Sequence, residues 1–361
     1  MKESKLLSSY NSHAFKLNNR VVMAPMTRSR AIGNIPNELM ARYYALRAST
    51  GLIVTEGTSP SKNGLGYPNI PGVYSEEQVA GWRKVTEAVH EAGGKIFLQI
   101  MHVGRIAHEL NLPEGGEIIA PSPIAAPGEM FTPEGPKPNG MPREMTIDDI
   151  RKTQQKFVIS AKNAIKAGFD GVEIHSANGY LPNQFINRGS NKRQDEYGGS
   201  IENRCRFVLE ISQQVAEAIG KDKTGIRISP YGVFNDMQIY DEIPETYQYL
   251  IEQLNQVDLA YVHIANMTDK APEGFLEKLG SGFKNTVIFN GGYGNDLPSA
   301  ERLVSEKHNA LVAIGVPFIA NPDLIERIRQ GAEFAQPDTS TFYTPGTEGY
   351  LTYPTLKGVT S

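Results

Sequence analysis

Eight short apolar runs recur along this chain, each separated from the next by sequence with helical periodicity, and that alternation constrains the fold more than any single motif. The runs cover 20–25, 51–57, 95–101, 169–174, 225–230, 259–264, 286–289 and 310–314. Each is rich in Val, Ile and Leu and too short to be a helix, so each reads as a strand. Helix signals fill the intervals. One helix pattern runs over 36–49. Ser75 caps the next, Gln78 completes a capping box, Val79, Trp82, Val85 and Val89 share its inner face, and Gly93-Gly94 ends it. Further helices are predicted from the Thr146 cap to Gly168, from the Ser200 cap to Gly220, over 244–257, around Pro298 as a first-turn proline, and from Asn321-Pro322 onward.

Strands that are apolar throughout, rather than alternating, are buried on both faces, and helices between them imply a parallel sheet covered on the outside. Eight such units in 361 residues predict an α/β fold, a closed (β/α)8 barrel spanning 1–361 as a single domain. A doubly wound sheet is the alternative. It would carry Gly-x-Gly-x-x-Gly after its first strand, and that fingerprint is absent. The segment 102–145 breaks the rhythm: it is rich in Pro and Gly and too long for an ordinary connection, which predicts a lid or capping excursion after the third strand.

A net charge of −4 leaves no basic run to neutralise phosphates, so neither nucleic acid nor an anionic membrane is expected as the main partner. Cys205 is the lone cysteine, which excludes a disulfide framework and a thiolate metal site and reads as a buried structural thiol. The first thirteen residues lack an apolar signal-peptide core, and no run approaches membrane-spanning length. The expected address is the cytoplasm.

In a barrel the chemistry sits at the carboxyl ends of the strands. Those ends carry Thr27, Gly57, Gln99, His175, Arg227, Gly291-Gly292 and Gly315. The fourth strand runs Val172-Glu173-Ile174-His175-Ser176-Ala177-Asn178-Gly179-Tyr180. His175 and Asn178 can aim N–H groups at one oxygen, as a developing oxyanion requires. The Tyr180 phenol, with an ordinary pKa of about 10, still holds a deliverable proton at neutral pH. Each group also has a structural reading: His175 as a strand cap, Tyr180 as loop packing, Thr27 as a turn former, Gln99 satisfying a neighbouring backbone group. Arg227, set between Ile226 and Ile228, must be paired wherever it is buried. Thr27, Gln99 and Arg227 suit the edges of a flat heteroaromatic ligand, and the glycines after strands seven and eight suit a phosphate. His102, Glu173 and His175 lack the His-Glu-x-x-His spacing of a zinc site, so no metal is expected.

With these residues placed, the chain resembles the Old Yellow Enzyme family of flavin-dependent ene-reductases, nearly end to end, from Met23-Ala24-Pro25-Met26-Thr27-Arg28 to Glu348-Gly349-Tyr350. The most specific stretches are 172–181, Asn191-x-Arg193-x-Asp195-x-Tyr197-Gly198-Gly199-Ser200-x-Glu202-Asn203-Arg204, and Ile319-Ala320-Asn321-Pro322-Asp323-Leu324. The resemblance implies non-covalent FMN at the barrel mouth, with NADPH or NADH as hydride donor. Pro25, Met26 and Thr27 would lie along the isoalloxazine, with the Thr27 hydroxyl near O4, while Gly57, Gln99 and His175 would meet its edges. Arg227 would balance charge at N1 and O2, Gly291, Gly292 and Gly315 would contact the phosphate, and Phe342 and Tyr343 would cover the dimethylbenzene side.

The implied reaction reduces the activated C=C bond of an α,β-unsaturated carbonyl or nitro compound. His175 and Asn178 would hold its oxygen, Tyr67, Met101 and Tyr343 would line the substrate side, and Tyr180 would protonate the α-carbon. A nitro or nitrate-ester reductase, or a flavin-binding barrel of low turnover, are the alternatives, and the chain is expected as a monomer or homo-oligomer. Three positions depart from the family pattern. Val316 stands where an arginine usually meets the phosphate, Met101 where many relatives place tryptophan, and Arg188-Gly189-Ser190 where a Ser/Asp-Pro pattern is common.

Overall fold

A computed structural model describes residues 4–358, so the first three residues of the polar amino-terminal segment lie outside the described residues. The strands are β1 (Val21–Met23), β2 (Leu52–Val54), β3 (Ile96–Ile100), β4 (Gly171–Ser176), β5 (Thr224–Ile228), β6 (Tyr261–Ala265), β7 (Thr286–Asn290) and β8 (Ala310–Ile314). They pair in parallel and in sequence order, and β8 closes on β1. The expected barrel is the observed one.

The helices are α1 (Glu38–Ala45), α2 (Glu76–Glu91), α3 (Ile147–Lys166), α4 (Leu181–Ile186), α5 (Ile201–Ile219), α6 (Ile243–Val257), α7 (Phe275–Ser281), α8 (Leu297–Glu306), α9 (Pro317–Ala320) and α10 (Leu324–Gln330). The Ser75–Gln78 capping box forms on α2, and Thr146 forms another with Asp149 on α3. Val79, Trp82, Val85 and Val89 are all buried against the barrel, as is Cys205 on α5. The last helix begins at Leu324 rather than at Asn321-Pro322, because Asn321 instead bonds the backbone of Pro317 and Ala335 and ends α9. Among the described residues, no helix is long and apolar enough to cross a membrane.

The inside of the barrel is divided. On the β1, β2, β7 and β8 side, Val22, Leu52, Val54, Ile288, Leu311 and Ala313 form an apolar cluster. Its lower end is plugged by Phe15, from the turn joining a short antiparallel pair (Tyr10–Asn11 with Lys16–Leu17), which packs on Phe97 and Tyr261 with ring centres 5.7 and 5.9 Å away. On the β3 to β6 side the inward residues are Gln99, Glu173, His175, Arg227, Tyr261 and His263, all buried. Buried charges persist only when paired, so this half is a bonded network.

The 102–145 excursion folds into a hairpin, Glu129–Thr132 against Gly135–Pro138, and a parallel pair, Ile119–Ala120 with Arg143–Glu144. Val103, Ile106, Ala107, Ile118, Ala126 and Met130 pack from it onto Leu65, Met101 and Tyr180. Its apolar interior therefore rests on the end of the barrel where β3 and β4 finish.

Candidate active site

Strand β4 delivers His175 to the barrel mouth, and burial beside Arg227 and His263 drives the imidazole pKa well below its ordinary value, so the ring is neutral. Its Nδ1 accepts the Ala177 N–H at 3.3 Å, which leaves Nε2–H as the donor. Asn178 follows in the left-handed region, at φ 56°, a conformation asparagine tolerates better than most residues. Two bonds from the β5 loop hold it there: its N–H donates to Ser229 Oγ at 2.8 Å, and its C=O accepts from Asn235 Nδ2 at 2.8 Å.

Tyr180 caps α4 and is 7% exposed. Its ring meets His175 edge to face at 4.8 Å, and its hydroxyl donates to Tyr67 Oη at 3.2 Å. Burial and the neighbouring Tyr67 push the Tyr180 pKa well above the usual phenol value, so the proton stays in place at neutral pH. The second family-like stretch holds this segment from beneath. Asn191 Nδ2 donates to Phe185 C=O at 2.7 Å and to Tyr197 C=O at 2.8 Å, and Arg204 Nε donates to Ile186 C=O at 3.0 Å. In the departing 188–190 segment, Ser190 Oγ donates to Gln184 C=O at 2.8 Å.

Below the mouth, Glu173 is the hub. One carboxylate oxygen accepts Gln99 Nε2 at 2.7 Å, and the other accepts Tyr261 Oη–H at 3.0 Å and His263 Nδ1 at 2.8 Å. Burial alone would raise its pKa, but His263, Arg227 and the Gln99 bond outweigh that and hold it below the ordinary carboxylate value. Glu173 therefore stays charged with all its donors provided by protein, which leaves it no role as a metal ligand here. Arg227 Nη2 donates to Asn290 Oδ1 at 2.7 Å, while its buried Nε has no partner among the described residues. A buried guanidinium with an unused donor fits an electron-rich acceptor seated above it.

A cavity of about 270 Å³ at the mouth is lined by Pro25, Met26, Asn178, Arg227, Gly291, Gly292 and Gly315, from the ends of five strands. Gly291 has no room for a side chain, since a Cβ would stand 2.5 Å from Asn266 C=O, and Gly292 sits at φ 76°. This end offers close backbone approach. Val316 lies on the rim, 51% exposed, and Arg227 is the one cation among the residues lining the cavity. Tyr67, Met101 and Tyr180 do not line it; they belong to the adjoining cluster beneath the excursion. Met101 packs against Gly57, where a Cβ would come 2.4 Å from its Sδ. Thr27 is half-buried at the end of β1.

Phe342 and Tyr343 lie in the carboxy-terminal loop and are not among the residues lining the cavity, and two buried arginines hold that loop. Arg28 donates to the carbonyls of Phe342 (3.1 Å) and Gly349 (2.7 Å), and Arg30 to those of Phe342 (2.7 Å) and Thr341 (2.9 Å). Tyr343 itself is 66% exposed. Glu56 is the carboxylate of this cluster, accepting from the Arg28 N–H and the Tyr44 hydroxyl. Burial outweighs those partners and raises its pKa to about 7. A carboxyl raised in the folded state favours folding most fully below its unfolded pKa, and that contribution is lost as pH rises through about 7. Glu56→Gln should flatten this fall, which is on the order of 3 kcal/mol. Urea midpoints of both proteins between about pH 5 and about pH 8 check it; parallel profiles would count against the assignment.

Sequence reasoning missed Ser229, Asn235, Asn290 and the Arg28–Arg30 pair. Asn290 ends β7 immediately before the phosphate-type glycines, and Asn235-Asp236 is a dipeptide prone to the left-handed region, so residue type carried a signal in both cases.

The comparisons agree with this geometry. Residues 11–334 match the NADH:flavin oxidoreductase / NADH oxidase family. The chain is 40% identical to 12-oxophytodienoate reductase 7 of Oryza sativa subsp. japonica, over 98% of this chain and 95% of that protein. It is 42% identical to a probable flavin mononucleotide-dependent alkene reductase of Leishmania infantum, over 94% of both. Morphinone reductase in complex with tetrahydroNAD superposes with a TM-score of 0.92 at 43% identity, covering 97% of each chain. With an eight-stranded barrel, a mouth that fits a flavin and these relatives, the chain belongs to the NADH:flavin oxidoreductase / NADH oxidase family, the Old Yellow Enzyme family, as an FMN-dependent oxidoreductase supplied by a nicotinamide hydride donor.

Proposed function

We propose that this protein is an ene-reductase, saturating the activated C=C bond of α,β-unsaturated carbonyl or nitro compounds. The observation that carries the reading is one short segment of chain: a neutral His175 with Nε2–H as its donor, Asn178 two bonds deep in a fixed turn, and a protonated Tyr180 against the His175 ring. Pro25, Met26, Arg227, Gly291, Gly292 and Gly315 would hold FMN, with backbone amides rather than a side-chain cation at the phosphate end. Bound flavin supplies the hydride that it has received from NAD(P)H.

His175 and Asn178 hold the carbonyl or nitro oxygen of the alkene. As the β-carbon gains hydride, negative charge collects on that oxygen, where two fixed donors stabilise it more than they stabilise the ground state. Tyr180 then gives its proton to the α-carbon. The 102–145 excursion, whose apolar residues cover Tyr180, keeps water from that side of the pocket.

Anaerobic stopped-flow absorbance tests the reading. Yellow protein should bleach with NADPH or NADH and recover its colour on adding 2-cyclohexenone, with cyclohexanone as the product. Bleaching without recovery by the enone would overturn it. Release of nitrite or amine from nitro substrates, with no alkane product from any alkene, would point to nitro-group reduction instead.

A further inference from the structure

The loop after β5 makes an unusual approach to the catalytic turn. Asn235 and Asp236 are consecutive left-handed residues, at φ 57° and 61°. Two such residues in a row cost backbone free energy unless the surroundings enforce them. The enforcement comes from Arg105, a residue of the excursion that is 1% exposed. Its Nη2 donates to Asp236 Oδ2 at 2.9 Å, Asp236 C=O at 3.1 Å and Asn235 C=O at 3.4 Å. Its Nη1 reaches Ile124 C=O at 3.5 Å, and its backbone N–H donates to Gln184 Oε1 at 3.2 Å. One residue, through its side chain and its backbone N–H, thus ties the excursion, α4 and the β5 loop together.

That anchoring presents the Asn235 side chain to the site. Its Nδ2 donates to Asn178 C=O, and its amide also lies beside the hydroxyls of Tyr67 and Tyr180. The approach is close enough that a Cβ on Gly179 would stand 2.6 Å from Asn235 Cβ. Asn178 and Tyr180 flank that glycine, so Asn235 touches the turn between the oxygen-holding residue and the acid. Ser229 secures only the Asn178 N–H, and Asn183 and Gln184 hold the Gly179 N–H and C=O from the α4 side, so Asn235 is the side chain that holds the Asn178 C=O from the β5 loop.

We propose that Asn235, braced from behind by Arg105, is a positioning residue that sets the Tyr180 proton in register with the oxygen held by His175 and Asn178. This rests on the reading of Tyr180 as the proton donor. A misplacement of about 1 Å at such a group costs on the order of a hundredfold.

Asn235→Gly tests it without straining the backbone, because glycine adopts φ 57° freely. Bleaching by NADH should stay within about twofold of the parent, and recovery with 2-cyclohexenone should slow by about tenfold to a hundredfold. Asn235→Asp, which also tolerates the left-handed region but offers no N–H, should slow recovery similarly. In a Tyr180→Phe background, Asn235→Gly should have an effect smaller by about fivefold or more, since the proton it positions is gone. Recovery at the parental rate in Asn235→Gly, or equal slowing in both backgrounds, would overturn the proposal. Parental recovery in Tyr180→Phe alone would instead remove the underlying reading of Tyr180, a distinct result.

Discussion

Tyr180→Phe should leave bleaching by NADH at the parental rate and slow recovery with 2-cyclohexenone by about a hundredfold to ten-thousandfold, the usual contribution of a placed general acid. The substitution removes one oxygen and little else. Phenylalanine keeps the ring that meets His175 at 4.8 Å and packs among Met101, Ile106 and Met130 under the excursion, so the pocket keeps its shape. The donors proposed for the substrate oxygen are untouched, since His175 is fixed by Ala177 and Asn178 by Ser229 and Asn235. What is lost is the proton at Oη and its bond to Tyr67.

The pH dependence carries the same assignment. Because burial and Tyr67 hold the Tyr180 pKa well above the ordinary phenol value, the acid form persists across neutral and mildly alkaline pH. Parental recovery should therefore be flat from about pH 6 to about pH 9, with no fall as the ordinary phenol pKa is approached. Recovery in Tyr180→Phe equal to that of the parent would show that the proton comes from elsewhere, and Tyr67→Phe would then be the variant to make.

The barrel was legible because its strands are buried on both faces, and eight unbroken apolar runs cannot be mistaken for amphipathic helix once their length is counted. The long helices were legible through caps such as Ser75 and Thr146. Short elements were not. Helices α4, α7 and α9 span six, seven and four residues, too few turns for a periodicity to declare itself. Phe15 gave no sign that it plugs the barrel, since a lone aromatic near a chain end has no period at all.

In the site, residue types could be read and partners could not. The partners of Glu173 are invisible in its own stretch of sequence because its three donors stand on other strands, Gln99 on β3 and Tyr261 and His263 on β6. The same distance along the chain hid Asn235 from Asn178, 57 residues away. Local sequence announces a donor; only the closed barrel decides what it donates to.

Glu173→Gln should destabilise the protein by about 1–3 kcal/mol, the cost of leaving a buried polar group without its partner, and it removes the negative field that Arg227 feels from Glu173 without direct contact. Arg227 is then left fully buried with no counter-charge in the barrel, its own pKa already lowered by burial. The amide also presents N–H groups where Tyr261 or His263 now donates, so at least one buried donor loses its acceptor. Combining it with Arg227→Met should restore much of the stability, because removing both charges removes the desolvation cost along with the attraction. Function should divide differently from stability. Arg227→Met takes away the one cation lining the mouth cavity, so FMN should bind more weakly and its midpoint potential should fall, whereas Glu173→Gln removes a nearby negative charge and should raise that potential. Urea unfolding of the four proteins and redox titration of the flavin-loaded forms measure the two effects separately. Simple additivity in stability would mean that Glu173 and Arg227 do not share a buried field, and potentials that move together would mean that neither charge is felt at the flavin.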